Sequence, residues 1–186
     1  MNKLFGHFRT ITKHRHVVMA HCFKAGIPLR GLLHDLSKYS PSEFIPGVRF
    51  YNGEHSPTAD ERRENGYSKA WMHHKGRNKH HYEYWTDWSY QEKKYMPVEM
   101  PLKFAIEMFC DRVAASKVYQ KEKYTDRSPL EYYTARKNEE TMHPNTSKLL
   151  LSLVTMLAEK GEDETFRYIR TELVGKSKKK QKAQKA

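Results

Sequence analysis

The sequence predicts an all-α protein that folds as a single-domain helical bundle. Apolar residues recur at helical spacing along most of the chain, whereas the apolar–polar alternation typical of strands is absent. The length of 186 residues suits one domain with a substantial core. Ser-Pro pairs indicate helix starts, because serine caps the first amides of a helix and proline fits its first turn. These pairs are Ser40-Pro41, Ser56-Pro57 and Ser128-Pro129.

Two of these starts carry a further signal. A glutamate stands three residues after Ser40 and after Ser128, at positions 43 and 131. Serine followed at this spacing by glutamate is typical of a capping box, in which each side chain binds a backbone amide of the other's residue. Glu43 is therefore expected to serve the start of its own helix.

Eight helices are expected, and glycines such as Gly26 and Gly161 lie where helix C-termini belong. The segment 75–97 is expected to be a long connection, and its tyrosines and tryptophans argue against disorder. The helical domain is expected to extend over 1–175, and the lysine-rich tail 176–186 is expected to be disordered. The expected helices are about 3–24, 28–37, 41–51, 57–74, 98–121, 129–138, 145–160 and 163–174.

The net charge of +12 is confined to the two ends of the chain. Residues 1–34 contain six Lys and Arg side chains and no acidic residue, and residues 176–186 contain six Lys and no acidic residue. A nucleic-acid-binding domain would instead carry a basic stripe on its folded surface. Nucleic acid is therefore a partner that the charge permits but does not favour.

No segment has the apolar character of a signal peptide, and the longest apolar run, about 149–158, is too short to cross a bilayer. Cys22 and Cys110 lie in apolar helical runs, which is typical of buried thiols in a reducing compartment. These observations predict a cytoplasmic protein without a membrane partner. They leave its oligomeric state open.

The most informative motif is the doublet His34-Asp35, which follows a leucine-rich turn. An imidazole and a carboxylate at such a place would be costly to bury unless something neutralised them, and a divalent metal ion does so. Lys38 shares their face, so the alternative is an exposed Asp–Lys pair with an incidental histidine. The leucines expected to pack as one stripe beside the doublet are Leu29, Leu32, Leu33 and Leu36.

Two residues from distant helices can join the doublet. His14 lies on an apolar helical face, and the alternative is a core histidine satisfied by a backbone carbonyl. Asp111 replaces an apolar residue in the middle of a buried stripe, where an unpaired carboxylate would be strongly destabilising. Its alternative partner is Arg112 or a lysine from another helix. Glu107, one turn earlier, is a candidate to orient a ligand or act as a base, with a surface role as the alternative.

His14, His34, Asp35 and Asp111 together supply two imidazoles and two carboxylates. This set of nitrogen and oxygen ligands suits Mn²⁺, Fe²⁺, Co²⁺, Ni²⁺ or Zn²⁺, and it suits Mg²⁺ less well because of the imidazoles. In octahedral geometry, four ligands leave two positions for water or substrate. A divalent ion lowers the pKa of water, which is one route to hydrolysis.

At these residues the chain resembles the HD superfamily of metal-dependent phosphohydrolases. The resemblance lies in His14 with Val18, in the run Leu32-Leu33-His34-Asp35-Leu36-Ser37-Lys38, and in the distant Asp111. More closely, the chain looks like a small group of HD-like proteins from bacteria and phages, over roughly residues 10–120. The resemblance implies an HD-like helical fold and a metal ion held by these His and Asp side chains. The runs shared with that group are 22–26, 34–40, 66–71, 73–81 and 108–111.

A cluster of four histidines lies between the doublet and the distant aspartate. In two-metal relatives of the HD superfamily, histidines in this interval hold a second ion, which the resemblance implies for one or two of the four. His74 or His80 is a candidate proton donor, and Lys38 and Arg77 are candidates to bind a phosphate. The alternative is a His-rich surface loop with incidental metal affinity. The four are His73, His74, His80 and His81.

Three functions follow from these motifs. The favoured one is a hydrolase of a small phosphomonoester or phosphodiester, with a nucleotide as the leading candidate. A nuclease of the ββα-metal type is suggested by His-His followed by Asn and further His, but it requires two strands before residue 73. A non-catalytic, metal-stabilised module that binds nucleic acid or protein is the third, and it predicts a fully protein-saturated ion without a pocket.

Overall fold

Helix α6 (Leu102–Gln120) runs through the middle of the fold, and all of its residues from 104 to 110 are buried. Helices α1 (Lys3–Lys24) and α8 (Pro144–Tyr168) pack against it. Together these three helices supply most of the apolar core. The computed structural model describes residues 2–135 and 141–177.

Shorter elements surround this core. An antiparallel hairpin pairs β1 (Thr86–Ser89) with β2 (Lys94–Pro97). The described residues therefore confirm the predicted all-α, single-domain fold, with this hairpin as an addition inside the long connection. The remaining helices are α2 (Pro28–Leu33), α3 (Pro41–Arg49), α4 (Pro57–Asn65), α5 (Lys69–Arg77) and α7 (Ser128–Ala135). Short 3₁₀ turns cover Leu36–Tyr39, Tyr82–Tyr84 and Lys121–Lys123.

Two expected helices are interrupted in the structure. The helix predicted over 28–37 ends at Leu33, because the backbone of the next residue is extended and Asp35 is left-handed, with φ 53°. The helix predicted over 57–74 breaks at Gly66, whose φ of 77° ends α4 before α5 begins at Lys69. A left-handed residue terminates a helix because its φ and ψ angles turn the following chain away from the helix axis.

The C-terminal helices predicted over 145–160 and 163–174 meet at Gly161, which has non-helical φ and ψ angles of 76° and 177°. A π-helical segment, Ile169–Gly175, continues α8. The expected disordered tail begins at Lys176, where the helical backbone continues to residue 177. The rest of that tail and residues 136–138 of the predicted helix 129–138 lie outside the described residues.

None of the helices in the described parts of the chain combines the length and apolar character that crossing a bilayer requires.

Candidate metal centre

The backbone turn after α2 places the His34-Asp35 doublet inside the protein. His34 leaves the helix with φ −57° and ψ 129°, and Asp35 adopts the left-handed conformation. This turn buries both side chains, each only 1 % exposed. The prediction that four leucines pack as one stripe beside the doublet is wrong, because the turn directs the doublet inward and leaves the leucines exposed. The exposed leucines are Leu29, Leu32, Leu33 and Leu36.

Two helices and the turn after α2 bring the four predicted ligands together. His14 Nε2 on α1 lies 2.9 Å from Asp111 Oδ1 on α6. His34 Nε2 lies 3.5 Å from the same oxygen and 3.3 Å from Asp35 Oδ2. One atom from each of the four residues lies within 4.8 Å of the corresponding atoms of the others, so a single ion can contact all four.

Asp35 also belongs to a second group. Its other oxygen, Oδ1, lies 3.3 Å from His74 Nε2 and 3.4 Å from His80 Nε2. His81 completes this group within the same 4.8 Å limit. The two oxygens of one carboxylate thus face two different histidine-containing groups. Both groups have the composition of a divalent-metal site.

Several polar atoms at the centre of these groups are buried without a hydrogen bond to any described residue. Buried, unpartnered nitrogen and oxygen atoms are costly, and here they converge on two positions. Lys38 Nζ lies 2.7 Å from Asp35 Oδ2, but the contact lacks hydrogen-bond geometry. The residues therefore fit metal ions. The unpartnered atoms are His34 Nε2, Asp35 Oδ1 and Oδ2, His80 Nε2 and His81 Nε2.

Glu107 holds the far side of two of these imidazoles. Its Oε1 lies 3.1 Å from His34 Nδ1 and 3.4 Å from His80 Nδ1, and its Oε2 accepts a hydrogen bond from Arg30 Nε at 2.6 Å. The surface role considered for this residue is wrong, because Glu107 has no solvent exposure. A carboxylate on Nδ1 fixes the orientation of an imidazole whose Nε2 faces the centre.

Glu43 has the same role for the second group. Its two carboxylate oxygens lie 2.7 Å from His73 Nδ1 and 2.7 Å from His74 Nδ1. The capping box expected at Ser40 is wrong, because the Ser40 side chain caps no amide and Glu43 points to the histidines instead. Sequence reasoning did not identify Glu43 as a site residue, since its partners are 30 residues further along the chain.

The pKa values are consistent with ionised carboxylate ligands. Burial raises the pKa of Asp35, but His34 and Lys38 outweigh this effect and hold the pKa well below its usual range. Burial also raises the pKa of Asp111, but the hydrogen bond with His14 and the nearby His34 imidazole more than reverse the effect. The pKa of His34 is raised well above its ordinary value, since the carboxylates of Asp35, Asp111 and Glu107 outweigh its burial. Ligands in this state exchange protons for a metal ion.

Both groups open onto one cavity of about 580 Å³. His14 and Asp111 from the first group and His74 and His81 from the second line its wall. The cationic side chains in the same wall are Lys38, Arg62 and Arg112. The volume lies in the range of small-molecule sites.

The remaining predicted residues lie elsewhere. Arg77 is exposed at the end of α5 and does not line the cavity, whose wall contains two other arginines. His73 binds Glu43 and joins neither metal-binding group. His80 is 1 % exposed and faces Asp35, so its position suits a ligand better than a proton donor at the cavity wall.

The ββα arrangement required by the nuclease hypothesis is not formed. His73 lies in α5, and among the described residues both strands follow it, at Thr86–Ser89 and Lys94–Pro97. The prediction that the residues before the histidine cluster are helical, and not two strands, is therefore confirmed.

Comparison with known proteins gives one match. The model of a family of unknown function, DUF5662, matches residues 3–156, which include every residue of both metal-binding groups. No curated protein and no solved structure gives a significant match. Because the match covers more than half of the chain, the protein belongs to the DUF5662 family.

Proposed function

We propose that this protein is a metal-dependent phosphohydrolase that acts on a small phosphomonoester or phosphodiester, with a nucleotide as the leading candidate. The observation that carries the proposal is the position of Asp35, whose two oxygens face two groups of ionisable ligands beside one cavity. The resemblance to the HD superfamily supports the reaction class. The match to a family of unknown function is neutral on activity.

The residues named above would hold one or two ions. His14, His34, Asp35 and Asp111 form the first set, and Asp35 with three cluster histidines forms the second. Imidazole and carboxylate ligands favour Mn²⁺, Fe²⁺, Co²⁺, Ni²⁺ or Zn²⁺ over Mg²⁺. When bound, such an ion supplies Lewis acidity towards phosphate oxygens and lowers the pKa of water.

The chain itself supplies the positive charge that a phosphate needs. Lys38 lines the cavity beside Asp35, and its pKa is raised: burial lowers it, but the Asp35 carboxylate raises it more, so the ammonium stays charged. Arg112 and Arg62 line the same wall, and an arginine can bind two phosphate oxygens at once. These three cations orient a phosphate towards the ligand groups and neutralise its charge.

The test is metal analysis of purified protein together with a panel of nucleotides and simple phosphoesters assayed with added Mn²⁺. We expect bound metal and turnover in the wild type, and loss of both in D35N. In K38Q we expect retained metal and turnover reduced by about 100-fold. D163N is the matched control, because the Asp163 side chain is fully exposed.

Two outcomes would count against the proposal. Unchanged metal content in D35N would remove Asp35 from the ligand set and with it the basis of the site. Stoichiometric metal without turnover of any phosphoester would favour the alternative, a non-catalytic, metal-stabilised binding module. That module would also lack exchangeable water on its ion.

A further inference from the structure

A set of large apolar side chains is exposed on one part of the surface. Phe5 on α1 is 68 % exposed and Leu29 on α2 is 65 % exposed. Contiguous exposed apolar surface of this kind marks an interaction site in many proteins, whereas single exposed residues do not. The outer face of α1 and α2 comprises Phe5, Phe8, Arg9, Lys13, Leu29, Leu32 and Leu33, and we include Leu36 of the 3₁₀ turn that follows α2.

Contacts hold α1 and the segment from α2 to Tyr39 side by side. The Phe8 and Tyr39 rings lie 6.0 Å apart, and the Thr12 and Tyr39 hydroxyls are 3.0 Å apart. Arg15 on α1 donates hydrogen bonds to the backbone carbonyls of Leu32 and His34. The segment that carries the exposed leucines therefore packs along α1, which carries the exposed phenylalanines.

The charge on this face has one sign. Residues 1–34 contain six Lys and Arg side chains and no acidic residue. Arg9 and Lys13 are exposed and form no ion pair with any described residue, whereas Lys24 and Arg30 pair with glutamates of other helices. An occupant of the outer face is therefore expected to carry negative charge as well as apolar surface.

These two properties discriminate between occupants. A second copy of the chain would bring Arg9 and Lys13 against the same cations, which is repulsive. Nucleic acid would bind the cations through its phosphates but would leave Phe5 and Leu29 in water. A bilayer with anionic headgroups satisfies both sets, because apolar side chains enter the acyl boundary while Lys and Arg bind the headgroups.

We propose that the outer face of α1 and α2 docks the protein on an anionic lipid surface. A protein that lies on a bilayer needs no spanning helix, so the lack of one among the described helices does not bear on this mode. The ligand groups lie on the opposite, buried side of α1, where His14 is located. Docking is therefore independent of metal and of the proposed hydrolysis.

The experiment is cosedimentation of the full chain with two kinds of vesicle, one of phosphatidylcholine and one of an equimolar mixture with phosphatidylglycerol. We expect retention on the anionic vesicles only, and weaker retention at high salt. R9Q/K13Q should weaken binding by about 25-fold, since each cation near an anionic surface contributes about fivefold. F5S/L29S should weaken it by at least about tenfold through lost apolar burial.

Matched controls come from the hairpin. Tyr90 and Tyr95 are exposed aromatic residues, and Lys93 and Lys94 are exposed cations, and none of them belongs to the outer face. Y90S/Y95S and K93Q/K94Q should therefore bind like the wild type. Because Phe5 and Leu29 are mostly exposed, F5S/L29S should keep its helicity and its metal content.

Four results would overturn the proposal. The first two are absence of retention and equal retention on both kinds of vesicle. The third is a dimer in sedimentation equilibrium that F5S/L29S dissociates, which would assign the face to a second copy. The fourth is binding to an oligonucleotide that R9Q/K13Q abolishes and F5S/L29S leaves intact, without vesicle binding, which would assign the face to nucleic acid.

Discussion

Glu107 Oε1 lies 3.1 Å from His34 Nδ1, and both side chains are buried. The glutamate belongs to the central helix, whereas the histidine lies in the turn after α2. Burial raises the pKa of Glu107, but hydrogen bonds with His34 and Arg30 and the nearby His80 imidazole outweigh it and lower that pKa to about 2. A charged Glu107 selects the tautomer in which His34 Nδ1 carries the proton, so that Nε2 can bind an ion.

Replacement of this glutamate tests its role as a positioning residue. In E107Q we expect metal affinity to fall by about 10- to 100-fold, because the neutral amide no longer orients and polarises the imidazoles. Isothermal titration with Mn²⁺ or Zn²⁺ measures the change, and the helical circular dichroism should persist. E131Q is the control, since Glu131 is exposed on α7. Equal affinity in both variants would contradict the role.

The sequence predicts the ligands that lie on long helices. His14 and Asp111 each occupy the buried side of a regular helix, where residue spacing alone determines which side chains share a face. The doublet is recognisable because two ionisable groups beside apolar residues need a partner. For these residues, local pattern and final position agree.

The remaining features depend on tertiary contacts that spacing does not encode. Asp35 turns inward through a left-handed backbone, which no helical periodicity indicates, and so the exposure of Leu29 and Leu32 was predicted wrongly. Glu43 reaches histidines 30 residues away only because α3 packs on α5. Arg112 lines the cavity. Arg77 does not, because it is the last residue of α5 and its side chain is exposed there.

Glu43 provides a test of whether the protein binds two ions. E43Q should weaken metal binding by the second group, because Glu43 lies 2.7 Å from His74 Nδ1. The first and second groups share only Asp35, so the other ligands of the first group should be unaffected. We expect metal content measured by mass spectrometry to fall from two ions per chain to one. E122Q, an exposed position, is the control. Equal loss from both groups, or no loss, would contradict two separable positions.

The lowered pKa of His7 predicts a pH dependence of folding stability that does not involve the metal ligands. Burial, with a contribution from the Lys38 charge, lowers the pKa of His7 from 6.5 to about 4. On acidification the unfolded chain therefore takes up this proton first, so His7 destabilises the fold as the pH falls from about 6.5 towards 4. Above pH 6.5 His7 is neutral in both states and contributes no dependence.

In H7L this contribution should disappear. We expect the loss of unfolding free energy between pH 7 and 5 to be smaller than in the wild type by about 1–2 kcal/mol, allowing for solvent screening. Urea denaturation at the two pH values measures it. H16L, at an exposed histidine of the same helix, should follow the wild type. Parallel curves for H7L and wild type would contradict a neutral, buried His7.

Gly161 allows the end of α8 to return to the core. Its φ and ψ angles of 76° and 177° are essentially restricted to glycine. The residue that follows, Glu162, contacts His21 on α1 and Lys117 on α6. The kink therefore aligns the last turns of α8 with both helices that supply His14 and Asp111.

G161A should lower the free energy of unfolding by about 1–3 kcal/mol, because alanine is strained at these angles. The matched control is G76A, since Gly76 lies in α5 with no atom within 4 Å of an added Cβ. G76A should stabilise the protein by about 0.5–1 kcal/mol through helix propensity. Urea denaturation compares the two variants. If both alanines had the same effect, α8 would not require the conformation at residue 161, and the contacts of Glu162 would have to form from a straight helix.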